Sequence, residues 1–284
     1  MSSNKETPIK TIGFVLIVCL VCAALVSISA VQLKPLQVAN KLLDQQTKIL
    51  ETSKLLDVAL EAENVKAAGG ESKSIVATYN KYVFASIVNL DTGEVSCTVV
   101  RNDDTDTCYV KVKNFDERRN SRDVSMSEIP QNDMAGINRK SKTAVVFLVH
   151  NDADDVETVV FPIVGSGLWD LMYGYVGLES DLNTVRSLVY SDHKETPGLG
   201  AEVMNPKWKV LWQGKKIYGE QGEPKIKLVK GGAKADDIHA VDALSGATLT
   251  SNGVTNTLQF WFDDEGYKPF IKKHRASIAK GGLN

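Results

Sequence analysis

The sequence predicts an α+β protein: one N-terminal transmembrane helix followed by a mixed α/β domain. Three observations lead there. Ile12 to Val31 reads IGFVLIVCLVCAALVSISAV, with no charge and no proline. Dense apolar, strand-like runs follow one another from Thr143 onward. Near the C-terminus an amphipathic segment carries Val254, Leu258, Trp261 and Phe262 at helical spacing. At 284 residues, 43% hydrophobic and 24% charged, the chain has enough apolar material for one large domain beside the extra segment. A formal net charge of −2, with no basic stripe of interleaved aromatics, excludes a nucleic-acid binder.

The apolar run is long enough to cross a hydrocarbon core of roughly 30 Å. A cleaved signal peptide is the competing reading, with Ser27–Ser29 or Ser29–Val31 as a small-residue cleavage site. The run exceeds the roughly 7 to 15 apolar residues of a signal core, so an uncleaved anchor is expected. The resulting division is an N-terminal tail over 1–11, a transmembrane helix over 12–33, a juxtamembrane helical stalk over 34–70 and the main domain over 71–284. Lys5 and Lys10 precede the span and Lys34 and Lys41 follow it, which leaves orientation undecided on charge alone. Lys34-Pro35 ends or kinks the membrane helix. In the stalk, Leu36, Leu42, Leu43, Ile49, Leu50, Leu55, Leu56 and Leu60 recur at helical intervals, with a break near Thr52-Ser53 and a stop at Gly69-Gly70.

Cys19 and Cys22 lie in the span and read as small apolar residues there. Ser74 to Ala85 forms a short helix or strand. The segments GEVSCTVV and TCYVKVKN both alternate around RNDDTDT, which predicts a β-hairpin with Cys97 opposite Cys108. A disulfide there contributes about 3 kcal/mol by loop-closure entropy; two unpaired cysteines in a sheet is the other reading. Asn114 to Ser127, rich in Arg, Asp and Ser, is a solvated helix or loop.

Ala144–Val149 and Thr158–Trp169 are dense apolar strands separated by the turn NDADD, and YGYVGLES and VRSLVYS continue the sheet. Gly165-Ser166-Gly167 at a strand end permits a sharp turn or a close approach to a ligand, and Trp169 adds a flat apolar surface. HKETPGLG, His193 to Gly200, is a polar loop with proline and two glycines, of the kind that carries binding groups on a rigid sheet; a plain turn is the alternative. NPKWKVLWQGKKIY carries Trp208 and Trp212, and IKLVK is a strand that ends in Lys230-Gly231-Gly232, a cation and two glycines suited to face a phosphate.

SGATLT, Ser245 to Thr250, leads into the amphipathic helix. Two readings stand for it. The first turn of a helix, with unpaired N–H groups and a positive dipole end, favours an anion, and Ser245, Gly246 and Ala247 are small enough to let a phosphate approach. Otherwise these residues are an ordinary Ser/Thr cap. GxGxxG, GxxxxGK[ST] and HExxH are missing, the one CxxC is Cys19–Cys22 inside the apolar span, and the four histidines lack ligand spacing, so neither a metal site nor a catalytic residue is expected.

The single span, GSGLW, HKETPGLG, the Trp208–Trp212 segment, LVKGGA and DALSGATLTSNGV, read in that order, resemble the C subunits of the bacterial sodium-translocating NADH:quinone oxidoreductases end to end. Their flavin domain is shared with the G subunit of the Rnf complex. The resemblance implies an FMN-binding domain with FMN joined through a phosphodiester to the last threonine of the motif, Thr250, with Thr248 the other threonine in reach. A separate flavin transferase makes this bond from FAD, so the chain needs an accessible hydroxyl there and little else. Further implied flavin contacts are Ser245, Gly246, Ala247, Leu168, Trp169, Glu195, Thr196, Gly198 and Leu199, with Lys230 compensating the phosphate. Cys97 and Cys108 have no place in the family pattern. What the resemblance implies of function is an electron relay within a multi-subunit complex of the bacterial inner membrane. The N-terminus is cytoplasmic and the flavin domain periplasmic, while NADH oxidation, quinone reduction and sodium passage belong to the assembled complex. The other readings are the Rnf subunit and a cofactor-free, membrane-anchored assembly domain.

Overall fold

A computed structural model of the chain describes residues 8–61, 69–100 and 102–283. Residues 1–7 of the expected tail and 62–68 of the expected stalk lie outside them. The chain divides into two compact units, Met1–Gln45 and Gln46–Asn284. The first is occupied by helix α1 (Pro8–Ser53), whose apolar side chains, among them Phe14, Leu20 and Val31, are exposed. It is the one helix among the described residues long and apolar enough to cross a membrane. α1 neither ends nor breaks at Pro35, which lies inside it and forfeits one backbone hydrogen bond. It stops at Ser53, where Lys54 adopts φ 64°, at the break expected near Thr52-Ser53.

The second unit begins inside the stretch expected as stalk, because the last turns of α1 are buried: Gln46, Ile49, Leu50, Thr52 and Ser53. Glu51 pairs with Lys209, and the Thr52 carbonyl comes so close to Gly177 that a Cβ there would meet it at 2.8 Å. Desolvation raises the Glu51 pKa, and its hydrogen bond to Lys209 and the field of Lys48 bring it below the usual carboxylate value. Helix α2 (Leu56–Glu61) accepts the Ser74 hydroxyl on the Ala59 carbonyl at 2.6 Å, which ties it to α3 (Gly70–Tyr82). Gly69, at φ 72°, is the N-cap of α3, and the approach to the stop expected at Gly69-Gly70 lies outside the described residues. The segment read as helix or strand is both, α3 passing into β1 (Val83–Asn89) at Val83.

β2 (Val95–Thr98) returns against β1, with Ile87 opposite Cys97. The second arm of the predicted hairpin is not a strand. It is helix α4 (Thr107–Lys113), because the Asp106 carboxylate accepts from the Cys108 and Tyr109 amides at 2.7 and 3.1 Å and caps a helix start. This local cap overrides the β propensity of TCYVKV. The disulfide forms all the same, Cys97 to Cys108, with Cα atoms 5.8 Å apart, and it joins strand to helix. Within Asn114–Ser127 the short helix α5 (Glu117–Asn120) is capped by Asp116. The small strands β3 (Ser127–Glu128) and β4 (Lys140–Ser141) pair with each other.

The main sheet is antiparallel throughout, in the order β2-β1-β5-β6-β7-β8, where β5 is Thr143–His150, β6 Val156–Ser166, β7 Leu171–Glu179 and β8 Val185–Asp192. β5 reads as an unbroken apolar run because both of its faces are covered. Ala144, Val146 and Leu148 join the main core, while Val145, Phe147 and Val149 are buried from the other side. After β8 come a 3₁₀ turn over Gly200–Met204 and helix α6 (Pro206–Val210), which buries Trp208 against Trp212. β9 (Lys227–Val229) and β10 (Ala240–Asp242) pair in parallel. α7 (Thr248–Trp261) then runs back along β6, and α8 (Lys268–Ile278) closes the core.

The contact of α7 with β6 sets the position of everything near the motif. Val254, Leu258, Phe260, Trp261 and Phe262 are buried, the Trp261 indole donates to the Val164 carbonyl at 2.7 Å, and Phe161 packs on Phe262 and Tyr267 at 5.6 and 4.8 Å between centroids. At the start of the helix, Gly253 faces the Ser166 carbonyl so closely that a Cβ would lie 2.1 Å from it. Alanine ordinarily favours a helix over glycine by about 1 kcal/mol. Gly253→Ala is expected to reverse that sign and destabilise the protein by roughly 1–3 kcal/mol through overpacking, read from the urea midpoint. Thiol titration of the denatured, unreduced chain should find the two free cysteines, Cys19 and Cys22, with two further thiols only after reduction. Cys97→Ser should lower stability by about 3 kcal/mol.

Candidate functional site

β6 and β8 point the same way in the antiparallel sheet, so the turn after Ser166 and the loop after Asp192 emerge at one edge. α7 begins at that edge, over Ser166. Three segments distant in sequence thereby converge: Gly167–Trp169, Glu195–Gly200 and Gly246–Thr250.

Glu195 ties them together. Its Oε1 accepts from the backbone amides of Leu168 and Trp169 at 2.9 and 3.1 Å, and its Oε2 accepts from the Thr250 hydroxyl at 2.5 Å. The carboxylate is 5% exposed and Thr250 only 1%. A buried carboxylate without donors is costly; here three donors satisfy it, and His193 Nδ1 accepts its backbone amide at 3.2 Å. Beside it, the Trp169 indole donates to Thr196 Oγ1 at 3.1 Å.

The motif itself turns at Gly246, whose φ of 72° belongs to the left-handed region that glycine enters without strain, and a Cβ there would lie 2.9 Å from a Leu199 methyl. Ser251 closes the turn from within the helix: its hydroxyl accepts from the Leu244 amide at 3.0 Å and donates to the Ala247 carbonyl at 2.9 Å. The N-cap of α7 is Ala247, with no side-chain cap hydrogen bond, so the plain Ser/Thr cap does not describe this helix. Its first intrahelical bond is from the Ser251 amide to the Ala247 carbonyl, which leaves the amides of Thr248, Leu249 and Thr250 ahead of it at the positive end of the dipole.

The expected contacts divide into two groups. Glu195, Ala247 and Thr250 are buried. Leu168, Trp169, Thr196, Gly198, Leu199, Ser245, Gly246 and Thr248 are exposed around them, Trp169 at 67%. The expectation of an accessible hydroxyl at Thr250 is wrong, because Glu195 and Gly200 lie over it; the accessible hydroxyl is that of Thr248. Lys230 follows β9, where the Ala243 amide donates to the Val229 carbonyl, two residues ahead of Ser245. It is exposed and makes no hydrogen bond or ion pair to the site among the described residues. Two residues not singled out from sequence belong here, Ser251 as a tight neighbour and Leu249 as an exposed apolar side chain like Trp169 and Leu199, while Gly200, the last glycine of the expected loop, lies against Thr250 and Glu195. Leu249 had a legible signal, standing between the two threonines of the motif.

The sequence profile of the FMN-binding domain matches residues 167–263, which spans all three converging segments. The chain is similar to the C subunit of the Na(+)-translocating NADH-quinone reductase of Vibrio parahaemolyticus, 42% identical over 100% of both chains, and to that of Yersinia pestis, 40% identical over 98% of this chain and 97% of that one. Among solved structures it resembles Shewanella oneidensis NqrC, with a TM-score of 0.70 and 37% identity over 84% of this chain and 99% of the other. The corresponding protein from Parabacteroides distasonis aligns with a TM-score of 0.58 and 27% identity over 84% and 96%. With full-length identity at that level, the chain belongs to the family of C subunits of the Na(+)-translocating NADH-quinone reductases.

Proposed function

We propose that the protein is the membrane-anchored electron-relay subunit of a Na(+)-translocating NADH-quinone reductase and holds FMN covalently, as a phosphodiester on Thr250. The observation that carries the site is the start of α7. Thr250 lies in the first turn, next to amides that precede the first helical hydrogen bond and behind a cap without a side-chain acceptor. A phosphodiester keeps one negative charge, which those amides and the helix dipole stabilise.

The residues at this edge fit a flavin. Leu168, Trp169 and Leu199 offer exposed apolar surface for a planar ring, and Leu249 extends it. Thr196 fixes the Trp169 indole through its hydrogen bond. Ser245 and Thr248 are exposed hydroxyls within reach of a phosphate's surroundings, Gly246 and Gly198 leave room for it, and Lys230 supplies positive charge at the neighbouring strand end. Bound FMN supplies reversible one-electron chemistry; the chain positions it and sets its electrostatics. A covalent link removes dissociation, which suits a carrier.

The partners are the other subunits of the complex, to which NADH oxidation, quinone reduction and sodium passage belong, and a flavin transferase that makes the ester. We place the N-terminus in the cytoplasm and the flavin domain in the periplasm. The Cys97–Cys108 disulfide supports that orientation, because disulfides persist in oxidising compartments.

Co-expression of the full chain with the flavin transferase, followed by denaturing electrophoresis under ultraviolet light, tests the assignment. The wild-type band should fluoresce, Thr250→Ala should be dark, and Thr248→Ala should keep its fluorescence. A dark Thr248→Ala beside a bright Thr250→Ala moves the ester to Thr248, and a dark wild type rejects covalent attachment.

A further inference from the structure

We infer that Lys209 and Trp208 are positioning residues for the site, and that through them α6 acts as a strut tying the last turns of α1 to two of the three segments that converge at the sheet edge. That the site holds flavin rests on the proposed function; the strut itself does not.

At the α1 end, Lys209 pairs with Glu51, and the two side chains are largely covered, at 16% and 24% exposed. An ion pair between mobile surface side chains contributes little. Here the helix turn that carries Glu51 is itself seated. Ile49, Leu50 and Thr52 are fully buried, and the Thr52 carbonyl abuts Gly177 of β7. Glu51 is therefore a fixed post for Lys209.

At the motif end, the neighbouring residue Trp208 is 7% exposed, and its indole donates to the Asp242 carbonyl at 2.9 Å. An indole has a single donor and no acceptor, so this bond is the one polar tie the ring can make. Asp242 ends β10, and the chain runs from it through Ala243 and Leu244 into Ser245. The same stretch is held by the Ala243 amide on the Val229 carbonyl and by the Leu244 amide on the Ser251 hydroxyl, at 3.0 Å each.

The loop segment hangs on α6 as well. The Leu199 carbonyl accepts from the Glu202 amide at 3.2 Å and that of Glu202 from the Asn205 amide at 2.9 Å. The Asn205 carbonyl then accepts from the amides of Trp208 and Lys209 at 3.0 Å each. The hydrogen-bonded turns thus run unbroken from the loop tip into α6. Lys209 and Trp208 are adjacent, so a displacement at one end reaches the other across one peptide unit. The third segment, Gly167–Trp169, leaves β6 directly and needs no strut. Because the end of α1 touches the same sheet at Gly177, all three segments share one reference. A functional site works only when its supporting contacts hold it to within about 0.5 Å, and for two segments of this one those contacts lead to α6.

Hydrogen exchange of the full-length, unmodified chain in detergent micelles tests the strut, because exchange reports opening segment by segment. Lys209→Met keeps the length of the side chain and cuts the ion pair, while Lys48, 3.3 Å from the other oxygen of Glu51, leaves that carboxylate paired. Exchange should become about tenfold faster in peptides covering 240–251 and 199–211, with β6 and β7 unchanged, and Lys209→Arg should restore the wild-type rate. A contact that only adds global stability would speed every slow amide by one factor. That result overturns the inference, as does an unchanged motif peptide. Trp208→Phe keeps a ring and removes the donor. Since the two contacts lie in series, the double variant should exchange no faster than Trp208→Phe alone, and factors that multiply mean two separate contacts and no strut. If Trp208→Phe melts well below wild type, Lys209→Met decides: acceleration confined to the two segments supports the strut, and a uniform or absent one overturns it. Positioning of the cofactor is read separately, in chains labelled by the flavin transferase, where Lys209→Met should lower the fluorescence anisotropy of the flavin. Faster exchange with wild-type anisotropy overturns the positioning role. A wild-type chain that takes up no flavin defeats the proposed function and leaves the exchange result to judge the strut.

Discussion

The close approach of α7 to the end of β6 is the constraint on which the rest depends. Gly253 and the Ser166 carbonyl leave no room for a side chain between them, and Gly165 meets Thr257 in the same seam, where a Cβ would lie 1.9 Å from the Thr257 hydroxyl. That contact fixes the height of the helix start above the sheet edge. The aromatic cluster of Phe161, Trp261, Phe262 and Tyr267 holds the other end of the helix down. With both ends fixed, Thr250 falls under the carboxylate of Glu195, which is itself held by the turn that leaves β6. Sheet, helix and site are thus one packed object, in which small shifts carry a large cost.

This rigidity changes what the motif does. SGATLT offers three hydroxyls and several small residues, and an unstructured peptide of that sequence would present both threonines alike. In the fold they are opposites: one is exposed and unengaged, the other buried and hydrogen-bonded to a satisfied carboxylate. Chemistry at a buried hydroxyl gains a fixed partner and loses access.

The remainder of the chain serves to mount this edge. The last turns of α1 are buried in the domain through Ile49, Leu50 and Thr52, so the second unit begins within a helix and not at a loop. The disulfide pins β2, the outermost strand beside β1, to α4. An edge strand with exposed backbone groups is a pairing hazard, and its covalent tether to a capped helix limits that.

The apolar run of Ile12–Val31, the helical spacing of Val254, Leu258, Trp261 and Phe262, and the continuous apolar strands were legible in the sequence by themselves. So were the break after Ser53 and the pairing of Cys97 with Cys108. Each is written in the periodicity or spacing of near neighbours, and near neighbours are what a local pattern reports. The arm after Asp106 misled because a capping aspartate and a β-prone run compete, and the cap won. Only the tertiary structure decided that Glu195 meets Thr250 across 55 residues of chain, that Thr250 is covered while Thr248 is open, and that Gly200 lies over both partners. Those facts depend on sheet register and on how closely a helix settles on a strand. Register and packing depth are properties of distant segments in contact, and no stretch of sequence carries them alone.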